Sequence, residues 1–171
     1  MARLDVGDSA PSFTFESVNK GSVSLGDSRM VLIFGRYFGC PVCQLDFDEL
    51  LKRSSYIKVR AELVYFTQSS AESARDYIRD YAVDFPVVSV PKEDGKYRLY
   101  DAYGVGRMGI GTTVEILRRA NTAKKLDKVH GAYEGVETQS PADFVVEDGK
   151  VVWAHRGLTD LEKLLGFLEC I

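Results

Sequence analysis

Residues Met30-Val31-Leu32-Ile33-Phe34-Gly35-Arg36-Tyr37-Phe38-Gly39-Cys40-Pro41-Val42-Cys43 decide how this chain is read. The apolar run at its start predicts a buried strand. Residues 35–39 predict the loop that leaves it. Residues 41 to about 55 predict a helix, with Leu45, Leu50 and Leu51 among its apolar positions. Pro41 suits the first helical position, because the N–H it lacks would have no partner there. Cys40 then falls over the helix N-terminus, where the dipole and free N–H groups favour a thiolate. Cys43 lies one turn further in, and burial there favours its neutral thiol. A thiolate beside a second thiol, held by a short loop, makes and breaks disulfides. Redox chemistry is therefore the reading of Cys40 and Cys43. Structural zinc normally takes four ligands, and there is no second CxxC to complete a set, so no metal is expected.

Working outward, residues 13–15 and 22–25 flank Asn19-Lys20-Gly21 and predict a short hairpin. Residues 61–67 predict a second core strand. Ser69-Ser70-Ala71-Glu72 opens a helix to about residue 81, with a hydroxyl cap and an acid close behind it. A shorter strand follows at residues 85–90, then a short helix at 97–103 ended by Gly104. The signals weaken between residues 104 and 139. Residues 112 to about 126 can be helical, with Arg118-Arg119 and Lys124-Lys125 read as a solvated face. Residues 143–147 and 150–154 flank Asp148-Gly149, a strong hairpin signal. A helix over residues 160–169 closes the chain, with Leu161, Leu164, Leu165 and Leu168 at i, i+3, i+4, i+7 spacing. The order is β-α-β-α-β, a helical connection, then β-β-α. It predicts an α/β fold with a mixed sheet covered on both faces.

The bulk properties narrow the function classes. A length of 171 residues suits a single domain over 1–171. Hydrophobic residues make up 45%, enough for a substantial core. A net charge of −3, with both signs interleaved, recommends neither nucleic acid nor an anionic membrane as partner. No stretch reaches the roughly 18 apolar residues of a membrane span. The first eight residues lack the apolar segment of a signal peptide, so the cytoplasm is the expected compartment. Three cysteines are too few and too uneven for a disulfide framework.

Four passages resemble a thioredoxin-fold protein, and within that fold the alkyl hydroperoxide reductase/thiol-specific antioxidant, or peroxiredoxin-like, family. The start Gly7-Asp8-Ser9-Ala10-Pro11-Ser12-Phe13 is similar to that family's G-x-x-A-P-x-F. The stretch Phe34-Gly35-Arg36-Tyr37-Phe38-Gly39-Cys40-Pro41-Val42-Cys43 resembles the FxRxxGCPxC of its CxxC-bearing members. Tyr100-Asp101-Ala102-Tyr103-Gly104-Val105 belongs to a short helix like the family's. Ser140-Pro141-Ala142-Asp143-Phe144-Val145-Val146, followed by Asp148-Gly149, is similar to its x-P-x-x-F-V-V-x-x-G. Two positions depart from the relatives. Peroxidatic cysteines sit in P-x-x-x-T-x-x-C, and those places hold Ile33 and Tyr37 here. Thioredoxin carries a buried aspartate six residues before its first cysteine, and that place holds Phe34.

The resemblance implies a thioredoxin-like fold with an N-terminal β-hairpin extension and a helical insertion before Pro141, which would be a cis-proline facing the CxxC. Ser140 would present its backbone to an incoming thiol or peptide. Cys40 would be the nucleophile and Cys43 the resolving thiol, in an enzyme that reduces disulfides or hydroperoxides and needs no cofactor. A thiol reductant of thioredoxin or glutathione type would restore the dithiol. Arg36, four residues before Cys40, would lower its pKa and bind an anionic substrate group. Tyr37 would wall the site. Asp46 and Asp48 are read as solvated, and Cys170, His130, His155 and Trp153 as bystanders. The alternative is a non-catalytic redox sensor or adaptor that binds a protein partner. Oligomeric state is open.

Overall fold

The computed structural model describes residues 3–171; Met1 and Ala2, at the start of the segment read for a signal peptide, lie outside the described residues. The first half of the chain runs β1 (Thr14–Glu16), β2 (Ser22–Ser24), β3 (Met30–Phe34), α1 (Pro41–Lys58), β4 (Glu62–Thr67), α2 (Ala71–Ile78) and β5 (Val87–Ser89). The second half runs α3 (Arg98–Ala102), α4 (Ile110–Lys125), β6 (Ala142–Glu147), β7 (Lys150–Arg156) and α5 (Leu161–Glu169). Five strands form one sheet in the order β5-β4-β3-β6-β7, and β1 pairs antiparallel with β2 apart from it. β3, β4 and β5 are parallel, and β6 and β7 are antiparallel additions.

β3 is central because all five of its residues are apolar and buried, so it can be covered on both faces. Its side chains alternate between two cores. Met30, Leu32 and Phe34 face one side with Val64, Phe66, Phe144 and Val146, beneath α3 and the β1-β2 hairpin. Val31 and Ile33 face the other with Leu63, Tyr65 and Val145, beneath α1, α2 and α5. Phe34, at the thioredoxin aspartate's place, stands among Phe66, Tyr100, Tyr103 and Phe144, with ring centroids 4.8–5.7 Å away. A carboxylate there would sit in a purely aromatic nest.

Two boundaries and one peptide bond among those that differ from expectation bear on the site. α1 runs one turn past residue 55, because Ser54 turns its hydroxyl back onto the Leu51 carbonyl and Ile57 is needed in the core. β7 continues through His155 and Arg156, which pair with Asp143 and Ala142 across the ladder. The peptide before Pro141 is not cis, since the described residues contain no cis bond. The surrounding hydrogen bonds fit the trans form: Ser140 N–H donates to the Gly106 carbonyl and Gly157 N–H to the Pro141 carbonyl, both at 2.9 Å. The trans isomer is also the one X-Pro bonds prefer intrinsically. Asp148 and Gly149 take φ of 50° and 70°, the left-handed pair that a two-residue hairpin turn requires.

Candidate active site

The loop between β3 and α1 is pinned before it reaches the cysteines. The Gly35 carbonyl accepts from Tyr100 of α3 at 2.6 Å. The Arg36 carbonyl accepts from the Thr67 hydroxyl and the Gln68 N–H, each at 2.8 Å. Phe38 N–H donates to the Ser69 hydroxyl at 2.9 Å. Thr67 at the end of β4 and the polar residues just past it thus satisfy a backbone that no sheet ladder reaches.

Cys40 is the N-cap of α1 and Pro41 its first residue. Both Cys40 and Cys43 are free thiols and buried, at 3% and 5% exposure. Arg36, equally buried, donates from Nη2 to the Cys40 sulfur at 2.7 Å and from Nη1 to the Glu137 carbonyl at 2.6 Å. The Cys43 thiol beside the Cys40 sulfur and the Arg36 charge hold Cys40 down to about 5, against burial, which works the other way. Cys43, hydrogen-bonded to Cys40 and fully desolvated, is pushed well above the ordinary thiol range. At neutral pH the pair is one thiolate and one thiol, the division that nucleophile and resolver require.

The sulfurs are covered by the region where the sequence was weakest. Tyr37, Cys40, Val42, Cys43 and Leu158 form a small core of their own, capped by Ile116 and Ala120 of α4. The segment after α4 folds back across the loop, and Gly131 N–H donates to the Gly39 carbonyl at 2.9 Å. A side chain at Gly39 would strike the Ala132 carbonyl, and one at Gly135 would strike Gln68 and Tyr37. Tyr37 donates its hydroxyl to the Glu137 carboxylate and lies 3.3 Å from His130 Nε2. It therefore packs with the two cysteines while its hydroxyl is tied to the covering segment. Its phenol is held well above the ordinary range by burial and that carboxylate.

Behind Cys43 lies a cavity of about 10 Å³, lined by Arg36, Cys43, Asp46, Tyr65, Pro141 and Thr159, among others. That is room for one water. Asp46 is not a solvated residue: its side chain is 13% exposed and paired with Arg119 of α4. Arg119, read as part of a solvated face, bridges Asp46 and Glu49. Burial, only partly offset by Arg119, raises Asp46 to about 7. Asp143 is fully buried and accepts from the Thr159 hydroxyl at 2.9 Å, while its second oxygen has no partner. Burial raises it to about 8. One signal was visible beforehand: an acid inside the apolar run Ala142-Asp143-Phe144-Val145-Val146 is out of place in a central strand.

Of the remaining candidates, Ser140 is buried and its N–H is already donated to Gly106, so it offers no free donor toward the dithiol. Pro141 does approach the site, on the wall of the Cys43 cavity. Cys170 is exposed at the C-cap of α5, and His155 Nε2 lies 2.9 Å from the Leu158 carbonyl. Among the described residues no three His, Cys, Asp or Glu side chains gather as a metal set would, and no helix is long and apolar enough to cross a membrane.

Comparison with known proteins bears on the fold and the family. Peroxidoxin BcpB from Mycobacterium tuberculosis is 19% identical, with a TM-score of 0.64 over 99% of each chain. A peroxiredoxin-like protein from Aquifex aeolicus is 17% identical, with a TM-score of 0.68 over 99% of this chain and 88% of its own. The thioredoxin domain of a thiol-disulfide oxidoreductase from Bacteroides vulgatus is 20% identical, with a TM-score of 0.63 over 98% and 97%. These likenesses establish a thioredoxin-like fold. No curated protein matches the sequence. The AhpC/TSA family model matches residues 6–154, and the chain belongs to that family.

Proposed function

We propose that the chain acts as a thiol peroxidase in which Cys40 attacks and Cys43 resolves. The Cys40 thiolate takes one oxygen of a hydroperoxide, releasing water or an alcohol and becoming a sulfenic acid. Cys43 then displaces that oxygen, leaving a Cys40–Cys43 disulfide and water. A small-molecule or protein thiol of glutathione or thioredoxin type returns the pair to dithiol.

The observation that carries this reading is the Arg36 guanidinium on the sulfur of Cys40, a residue that is only 3% exposed. A thiolate under such cover admits a small oxidant more readily than a folded protein. Membership of a family of thiol-based oxidoreductases supports the same chemistry. A second reading, thiol–disulfide exchange, is favoured by the opposed shifts of Cys40 and Cys43, the pattern that suits a dithiol attacking a disulfide. Cytoplasmic residence of a single 1–171 domain fits either reading.

Stopped-flow mixing of the reduced protein with hydrogen peroxide, in parallel with oxidised glutathione, separates the two. A second-order rate with peroxide far above that of free cysteine supports the peroxidase. A rate no faster than free cysteine, with ready reaction toward the disulfide, transfers the proposal to exchange.

A further inference from the structure

The resolving step poses a problem that the two cysteines leave unsolved. Cys43 must lose its proton to attack, yet burial and the neighbouring thiolate oppose this. Once Cys40 is oxidised, that thiolate no longer accepts the proton. The place where thioredoxin puts a carboxylate holds Phe34, in an aromatic nest.

Asp46 lies three residues after Cys43 on α1, and side chains at that spacing are neighbours on one helix face. Both line the same one-water cavity. Three buried polar atoms near it lack partners: Nε of Arg36, which is on the wall, Oδ2 of Asp143, whose other oxygen is bonded to the wall residue Thr159, and Nε of Arg119, which is paired with the wall residue Asp46. Of the two buried acids here, Asp46 rather than Asp143 reaches solvent, its side chain 13% exposed where it pairs with Arg119. The geometry points to Asp46 as the proton acceptor of Cys43 in the resolving step, across the cavity, with Arg119 tuning how readily it accepts. This inference rests on the Cys40–Cys43 cycle proposed above.

The step balances as follows. The Cys43 S–H proton passes to the Asp46 carboxylate. The Cys43 sulfur attacks Cys40 Sγ, forming the S–S bond and breaking the bond from Cys40 to its leaving group. That group is hydroxide from a sulfenic acid or thiolate from a mixed disulfide, and it departs with the electron pair and takes the proton back from Asp46. Asp46 faces Cys40, Cys43 and Glu49 on its own helix, Arg119 on α4, Tyr65 and Asp143 on the sheet and Arg36 on the loop. Its affinity near 7 suits a group that must gain and lose a proton in each turnover.

The test uses methyl methanethiosulfonate on the reduced Cys170→Ser protein, a reagent small enough for the buried Cys40 and indifferent to whether peroxide or disulfide is the natural oxidant. Acid-quenched mass spectrometry follows loss of the Cys40 methylthio adduct to the Cys40–Cys43 disulfide between pH 5 and 9. The wild-type rate should rise with pH through a midpoint near 7. Asp46→Asn should slow it by about 100-fold at pH 8 and abolish the midpoint, and Asp46→Glu should restore most of the rate. Arg119→Met should move the midpoint upward, because the cation holding Asp46 down is gone. That readout stands even if Asp46→Asn folds poorly. A wild-type rate and profile in Asp46→Asn, or an unmoved midpoint in Arg119→Met, overturns the inference alone. Failure of Cys43 to displace the adduct in the wild type overturns it together with the cycle.

Discussion

The Arg36 guanidinium sits on the Cys40 sulfur at 2.7 Å, and its other terminal nitrogen is anchored to the Glu137 carbonyl at 2.6 Å. One side chain therefore joins the Cys43 thiol in lowering Cys40 and ties that cysteine to the segment that covers it. Arginine suits this double duty, because its planar fork donates in two fixed directions. Replacing Arg36 with Met removes a charge from the thiolate and an anchor from the cover. The Cys40 pKa should climb from about 5 toward the ordinary thiol value. Iodoacetamide labelling of Cys170→Ser protein across pH 4–9 reads this directly, and the rate at pH 6 should fall at least ~10-fold. An unmoved profile would assign the activation elsewhere.

The two cysteines should separate in trapping. Cys43→Ser leaves the attack intact but removes the resolver, so oxidant should leave Cys40 as a stable sulfenic acid that dimedone captures. Cys40→Ser should consume no oxidant beyond what Cys170 accounts for. Cys170 is exposed at the C-cap of α5, and Cys170→Ser should turn over at the wild-type rate in a coupled peroxide assay.

Asp143 should make stability fall as pH rises. Its folded value, about 8, lies above the unfolded 3.8, so its favourable contribution is complete below pH 4 and is lost as pH climbs through 8. Asp143→Asn removes that linkage. Urea denaturation of the reduced proteins should show near-equal stability at pH 4. The variant should be ahead by roughly 1–3 kcal/mol at pH 9, the scale of relieving one buried unsatisfied charge. A difference independent of pH would refute the buried-ionisation account.

The cover should be sensitive at Gly135. An alanine Cβ there would fall 2.5 Å from Gln68 Oε1 and 2.8 Å from Tyr37 Cδ1, closer than packing tolerates. Gly135→Ala should destabilise by about 1–3 kcal/mol. It should also raise the exposure of Cys40, seen as faster labelling by a bulky maleimide at a pH where the thiolate fraction is unchanged.

The strands, the helix that begins at Pro41 and the turn at Asp148-Gly149 were legible because each depends on local rules: apolar runs, a cap position and a left-handed pair. The dithiol was legible for the same reason, since its two sulfurs share one helix turn. Asp46 and Arg119 were misread because each looks solvated on its own helix. Their burial arises only when α4 packs on α1 across 73 residues of sequence. Glu137 and Gly135 were invisible for a related reason. Their roles come from a segment with no period of its own, ordered by what it covers. Pro141 shows a different limit. Resemblance placed it beside the dithiol, where it does line the Cys43 cavity, but the cis isomer that resemblance implied is absent among the described residues.

The account turns on Cys40 and Cys43 forming one redox couple. Peptide mapping of the reduced protein after one equivalent of hydrogen peroxide tests this most directly. The account predicts a Cys40–Cys43 disulfide as the main product, lost in either Cys→Ser variant and restored to dithiol by a thiol reductant. Unreacted cysteines, or Cys40 carried on to sulfinic acid while Cys43 stays reduced, would contradict it.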